Sequence, residues 1–141
     1  MPAPEPLEAM GARQAETILV VEDEDGVRDM VAEILRLAGY NVLEARNGAE
    51  ALEVVGGFPG PIHVLVTDVI MPVMNGRELA KRLVVLRPGL KVLYVSGYVA
   101  DVLAREAIDE AEAAFLAKPF TPAALAARVK ELLMDEGKEG A

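Results

Sequence analysis

The feature that most limits what this chain can become is a repeated change of hydrophobic period. Residues 18–21, Ile-Leu-Val-Val, form an unbroken apolar run, which suits a strand covered on both faces. Val27, Met30, Val31, Ile34, Leu35 and Ala38 then recur at helical spacing, and Gly39 ends that helix. The pattern repeats with Val42-Leu43 as a short strand, 49–55 as a short helix, a breaker-rich loop at 56–61 and 62–67 as a strand. Leu79, Ala80, Leu83 and Leu86 mark a helix stopped by Pro88-Gly89, and 92–95 is a fourth strand. The stretch 99–108 reads as a helix with irregular apolar spacing, and 114–117 as a fifth strand. Thr121 as N-cap, with Pro122 at the first helical position, opens a last helix through Leu125, Val129, Leu132 and Leu133. Strands alternating with helices predict parallel β-α-β units with right-handed crossovers, and so a three-layer α/β sandwich.

One domain is expected, over residues 17–134. Residues 1–16, with three prolines in the first six positions, read as a disordered leader or linker, and the charged stretch 135–141 as a frayed tail. A chain of 141 residues can bury a core without a disulfide or structural metal. It has no cysteine, which removes disulfides and thiol nucleophiles and fits a reducing compartment. The first residues lack the charged and apolar regions of a secretory signal, and no apolar run nears the ~18 residues of a membrane span. A cytoplasmic location without membrane insertion is therefore expected. With 23 acidic against 14 basic side chains the formal charge is −9, aromatics make up 4%, and Trp is absent. Such a surface repels phosphate backbones and offers no stacking platform, so direct nucleic-acid binding is not expected.

In an open parallel sheet, ligands bind beyond the carboxyl ends of the strands. The first apolar run is followed there by Glu22-Asp23-Glu24-Asp25, the third by Asp68, the fourth by Ser96 and the fifth by Lys118-Pro119. Carboxylates gathered without a counterion repel, and an all-oxygen site predicts a hard metal, Mg²⁺ before Ca²⁺. The nucleophile candidates are Asp68 and Ser96. Neither His nor Cys lies nearby to activate Ser96, whereas a carboxylate takes a phosphoryl group directly. A divalent metal, an ammonium and a hydroxyl are what a phosphoryl group in transfer calls for.

These residues resemble the receiver domains of bacterial two-component response regulators. The resemblance runs from Thr17 to about Met134. It rests on Ile-Leu-Val-Val-Glu22-Asp23-Glu24, Thr-Asp68-Val-Ile-Met-Pro72-Val-Met-Asn-Gly76, Tyr-Val-Ser96-Gly and Phe115-Leu-Ala-Lys118-Pro119-Phe. Ser-Gly-Tyr and Lys-Pro-Phe-Thr-Pro look most like receivers attached to hybrid sensor histidine kinases. The resemblance implies a flavodoxin-like (βα)5 fold with parallel sheet order 2-1-3-4-5. It also implies Asp68 as phosphoacceptor, with Mg²⁺ held by Glu22, Asp23, Asp68 and the backbone carbonyl of Ile70, and no organic cofactor. Ser96 matches the hydroxyl that moves to the phosphoryl group, Lys118 the lysine that pairs with it, and Phe115 the aromatic of the switch. A cis bond at Lys118-Pro119 is implied too. Implied partners are a sensor histidine kinase or histidine phosphotransfer protein and an unidentified downstream protein. Such a domain catalyses its own phosphorylation and dephosphorylation without being a conventional turnover enzyme. Three positions depart from the family's common pattern: Glu22 replaces Asp, Phe115 replaces Tyr, and Val73 stands where many members have Gly.

Plainer readings exist for each residue. The acidic run could be a solvated turn capping a helix, Asp68 a turn-former, Lys118 an exposed lysine, Ser96 a loop cap and Phe115 simple core. His63, the only histidine, falls at the start of the third strand, away from the carboxylates, and reads as structural. A Mg²⁺-dependent phosphohydrolase would need a carboxylate two residues past Asp68, where Ile70 stands. A receiver-like module acting without phosphorylation usually lacks the acidic pair, acceptor or lysine, all present here.

Overall fold

The computed structural model describes residues 15–96 and 114–140. Their elements, in chain order, are β1 (Thr17–Val21), α1 (Asp25–Leu37), β2 (Asn41–Ala45), α2 (Gly48–Gly57), β3 (Val64–Asp68), α3 (Gly76–Leu86), β4 (Lys91–Ser96), β5 (Ala114–Ala117) and α4 (Pro122–Gly140). The helix expected at 99–108 and most of the expected leader lie outside the described residues.

The strands form one parallel sheet in the order β2-β1-β3-β4-β5, as the flavodoxin-like reading requires. Because successive residues of a strand face opposite sides, each apolar run feeds two cores. Leu19, Val21, Leu65, Val92 and Tyr94 pack with Ala51 and Val55 of α2 and Leu79 and Leu83 of α3. Ile18, Val20, Val64, Val66, Leu93 and Val95 pack with Val31 and Leu35 of α1 and Leu125 and Val129 of α4. Two covered faces explain why the central strands read as continuous rather than alternating hydrophobics.

Two of the helices that begin at the carboxyl edge of the sheet, α2 and α3, start from an Asn-Gly-x-Glu sequence. Asn47 Oδ1 accepts from the Glu50 N–H at 2.8 Å and Asn75 Oδ1 from the Glu78 N–H at 2.9 Å, each satisfying a first-turn donor. Thr121 Oγ1 likewise accepts from the Ala124 N–H at 3.0 Å, so the expected N-cap of the last helix is in place. Arg87, at the end of α3, donates to the carbonyls of Val55, Phe58 and Gly60 and ties down the breaker-rich loop after α2.

Several boundaries differ from the sequence reading. β2 spans five residues rather than two, since pairing with β1 from Thr17↔Asn41 to Val21↔Ala45 recruits Asn41 and Glu44 despite their poor strand propensity. β3 starts at Val64 rather than Ile62 and includes Asp68, which pairs with Val95. Ahead of it, the His63 N–H donates to the Thr17 carbonyl at 2.9 Å and His63 Nδ1 accepts from the Thr17 N–H at 3.0 Å. His63 is thus a structural tie at the amino edge of the sheet, as its position suggested. α4 continues past Met134 to Gly140, through Asp, Glu and Lys that a helix accommodates, with no proline to stop it. No helix among the described residues is long and apolar enough to cross a membrane.

Candidate metal and phosphoacceptor site

The order 2-1-3 reverses the winding direction between β1 and β3, and the carboxyl ends of strands flanking such a reversal are where open α/β sheets bind ligands. Glu22 follows β1 directly and Asp68 is the last residue of β3. One carboxylate oxygen from each of Glu22, Asp23 and Asp68 lies within 4.8 Å of the others. Glu22 is buried, Asp68 half-buried and Asp23 exposed, so the cluster opens to solvent on its Asp23 side.

Lys118 comes from the far strand. It follows β5, and β4 separates β5 from β3, a gap of about 9–10 Å between strand axes. Only a long side chain spans that gap. Its Nζ donates to Glu22 Oε1 at 3.1 Å and to Asp68 Oδ2 at 3.2 Å. The Lys118-Pro119 bond is cis, as the resemblance implied.

The other carboxylate oxygens of Glu22 and Asp68 are also engaged. Glu22 Oε2 accepts from the Glu24 N–H at 3.1 Å, and Asp68 Oδ1 from the Ile70 N–H at 3.2 Å. Burial pushes the Glu22 carboxyl above its usual pKa, and the Asp68 charge adds to this against the pull of the Glu24 N–H and Lys118. For Lys118, burial pulls the ammonium down, yet Asp68 and Glu22 together outweigh it and the net shift is upward. The two directions agree once the charges are counted. One ammonium gains from two carboxylates, while each carboxylate has only a share of one ammonium. Three carboxylates and one ammonium leave two negative charges uncompensated, and an all-oxygen cluster with that surplus fits a hard divalent cation such as Mg²⁺.

The loop after β3 holds Asp68 in place by alternating anchored and exposed residues. Val69 and Met71 are buried, whereas Ile70 and Val73 are exposed. The Gly76 N–H donates to the Val69 carbonyl at 2.8 Å, and a Cβ on Gly76 would collide with the Asp68 carbonyl oxygen. The motif pointed to this glycine; its close approach to the Asp68 backbone was not readable from it. Val73 has φ 71°, and the Met74 N–H donates to the Pro72 carbonyl at 2.7 Å across it. The departure at this position is therefore a β-branched residue in a γ-turn that glycine would adopt without strain.

Ser96 ends β4, paired with Ala117, so its backbone lies at the same edge of the sheet as Asp68. Phe115 is buried on β5, in register with Tyr94, their ring centroids 5.4 Å apart. The residue that sequence reasoning missed is Arg28. Its Nη1 donates to the Glu22 carbonyl at 2.9 Å, behind the acidic pair. Helical spacing marks it as an ordinary surface arginine, and no local signal gives its direction.

A doubly wound parallel sheet that collects carboxylates from β1 and β3 and an ammonium from β5 at its carboxyl edge is the layout of a receiver-type signalling domain. Comparison with known proteins agrees. The response regulator receiver domain family matches residues 18–130. The chain is 44% identical over 117 residues to the sensor kinase CckA of Brucella abortus, covering 83% of this chain and 12% of that protein. It is 34% identical to the response regulator receiver protein CpdR of the same organism, covering 83% of this chain and 96% of CpdR. Among solved structures, the receiver domain of the hybrid histidine kinase CckA superposes with a TM-score of 0.70 at 38% identity, covering 83% of this chain and 98% of that one. A CheY-like receiver domain protein from Methanospirillum hungatei superposes with a TM-score of 0.76 at 30% identity, covering 89% and 99% of the two chains. The chain belongs to the response regulator receiver domain family, the phosphoacceptor class of two-component signalling.

Proposed function

We propose that Asp68 accepts a phosphoryl group from a phosphohistidine on a sensor histidine kinase or histidine phosphotransfer protein, with residues 17–134 acting as the functional unit. The observation that carries this reading is the placement of Lys118 Nζ within 3.1–3.2 Å of both Glu22 and Asp68, beside a three-carboxylate cluster. In the transfer a carboxylate oxygen of Asp68 attacks phosphorus, the P–N bond breaks, and the departing imidazole nitrogen keeps the electron pair. The Ile70 N–H fixes one Asp68 oxygen and Lys118 meets the other, which orients the carboxylate before attack.

Glu22, Asp23, Asp68 and the Ile70 carbonyl would hold Mg²⁺, which when bound offsets charge on the phosphoryl oxygens. Once Asp68 is phosphorylated its share of the charge that holds Lys118 is lost, and Lys118, still paired with Glu22, turns to the phosphoryl oxygens, where Ser96 is the hydroxyl assigned to join it. Phe115, buried beside Tyr94, is assigned as the ring that repacks when Ser96 moves. The altered surface is read by a downstream protein. Hydrolysis resets the domain: water attacks phosphorus, the P–O bond to Asp68 breaks, and the carboxylate returns with free phosphate. The domain thus works on itself and is not a conventional turnover enzyme. A cytoplasmic setting goes with this reading, and the net charge of −9 supports a protein rather than a nucleic acid as partner.

Intact-mass measurement after incubation with Mg²⁺ and a small acyl phosphate tests the assignment. One phosphoryl mass should be added to the wild type and none to Asp68→Asn; labelling of the variant would overturn it.

A further inference from the structure

We infer that Arg28 is the positioning residue for the acidic pair, setting metal affinity from behind the site without touching the metal. This rests on the Mg²⁺ reading of the Glu22–Asp23–Asp68 cluster proposed above. β1 ends at Val21, so the backbone of Glu22 lies beyond the regular ladder. It is nevertheless held at both ends. Its N–H donates to the Ala45 carbonyl of β2 at 3.1 Å, and its carbonyl accepts from Arg28 Nη1 at 2.9 Å. With both ends tied, the directions of the Glu22 side chain and of the chain entering Asp23 are set by β2 and α1 together.

The guanidinium that makes the tie is itself fixed. Nη2 pairs with Asp25 Oδ1 at 2.7 Å and Nε lies 3.5 Å from Glu44 Oε1, and the side chain is only 12% exposed. Burial alone would lower the Arg28 pKa; Asp25 and Glu44 reverse that. Glu44 is held in turn by Arg36 Nη2 at 3.0 Å. A planar fork with three separate partners cannot turn without breaking several bonds at once, so it is a rigid peg rather than a loose surface charge. Among the described hydrogen bonds and ion pairs, those of Arg28 go to a main-chain carbonyl, to Asp25 and to Glu44. Arg28 therefore takes up none of the side-chain carboxylates of Glu22, Asp23 and Asp68, which are left to Lys118 and a cation. Partners that orient metal ligands, though not ligands themselves, typically alter metal affinity about 10–100-fold when removed.

Mg²⁺ titration calorimetry on the full chain and three variants tests this. Arg28→Met keeps the aliphatic stem and removes every donor, and its Mg²⁺ dissociation constant should rise about tenfold. Arg28→Lys keeps the charge without the fork and should fall between Arg28→Met and wild type. Arg36→Ala removes a positive charge of the same network that does not reach Glu22, and should stay within about twofold of wild type. The amide nitrogen shift of Asp23, whose peptide contains the Glu22 carbonyl, should move in both Arg28 variants before any metal is added, a signature that general destabilisation does not give. Should Arg28→Met fail to fold, Arg28→Lys decides. Wild-type affinity in every folded Arg28 variant, or an equal change in Arg36→Ala, would overturn the positioning role. A wild type that binds no Mg²⁺ would instead overturn the metal reading on which it rests.

Discussion

Replacing Val73 by glycine should stabilise the domain, an unusual sign for removing a hydrophobic side chain. Val73 sits at φ 71° and is fully exposed, so its isopropyl group has no burial to lose. An L-residue in the left-handed region costs about 1–2 kcal/mol, and a β-branched side chain in a γ-turn lies toward the upper part of that range. Glycine removes this strain but gives the unfolded chain more freedom, offsetting about 0.5–1 kcal/mol. The net gain is about 0.5–1 kcal/mol. Unfolding entropy of about 2.1 cal/mol/K per residue gives roughly 0.2–0.25 kcal/mol per kelvin for a domain of this size, so Tm should rise by about 2–5 °C. Scanning calorimetry of the metal-free domain reads this directly. Val85→Gly is the control: it is exposed inside α3, and glycine there should lower Tm through lost helix propensity. A fall in Tm for Val73→Gly, or the same sign for both variants, would refute the assignment of strain to the turn.

Gly76→Ala should do the opposite, because its Cβ would collide with the Asp68 carbonyl oxygen; urea melts should show a loss of about 1–3 kcal/mol, and phosphorylation should slow as Asp68 is displaced. Ile70→Asn should shorten the life of the acyl phosphate several-fold, since Ile70 is exposed two residues past Asp68 and a carboxamide there can orient a water; loss of the phosphorylated mass over time measures it, and an unchanged decay would assign control of hydrolysis elsewhere. The Arg46 N–H and guanidinium hold the Glu50 carboxyl below its usual pKa. A lowered folded pKa adds stability above the unfolded value that is lost as pH falls through the folded one. The Tm advantage of wild type over Glu50→Gln should therefore be full at neutral pH and shrink as pH falls below about 4.5, and an advantage that persists or widens there would reject the linkage.

The alternation of periods determined most of the fold by itself. A run such as 18–21 suits a doubly covered strand, and helical spacing from Val27 to Ala38 suits its crossover, so the layers followed from the alternation of local patterns. The same logic found the candidate site, because residues just past each apolar run must gather at the carboxyl edge of a parallel sheet. Glu22, Asp68 and Lys118 were legible for that reason. The placements of Ser96 and Phe115 on their strands were also legible, since strand position is local. What the structure alone decided depends on distance in space rather than along the chain. Lys118 reaches both carboxylates because its long stem and the side chains of Asp68 and Glu22 converge from β5, β3 and β1 above the sheet's carboxyl edge. Arg28 looks like any helix-surface arginine until α1 packs so that it meets the Glu22 carbonyl. Gly76 and Val73 carry their meaning in a close approach and a dihedral angle, neither of which residue type reveals. Asn41 and Glu44 became strand residues against their own propensity because β1 offered them partners, and pairing energy outweighs a local preference of about 1 kcal/mol. Periodicity is local and survives in one dimension, whereas the fit of one surface on another exists only after the sheet has closed.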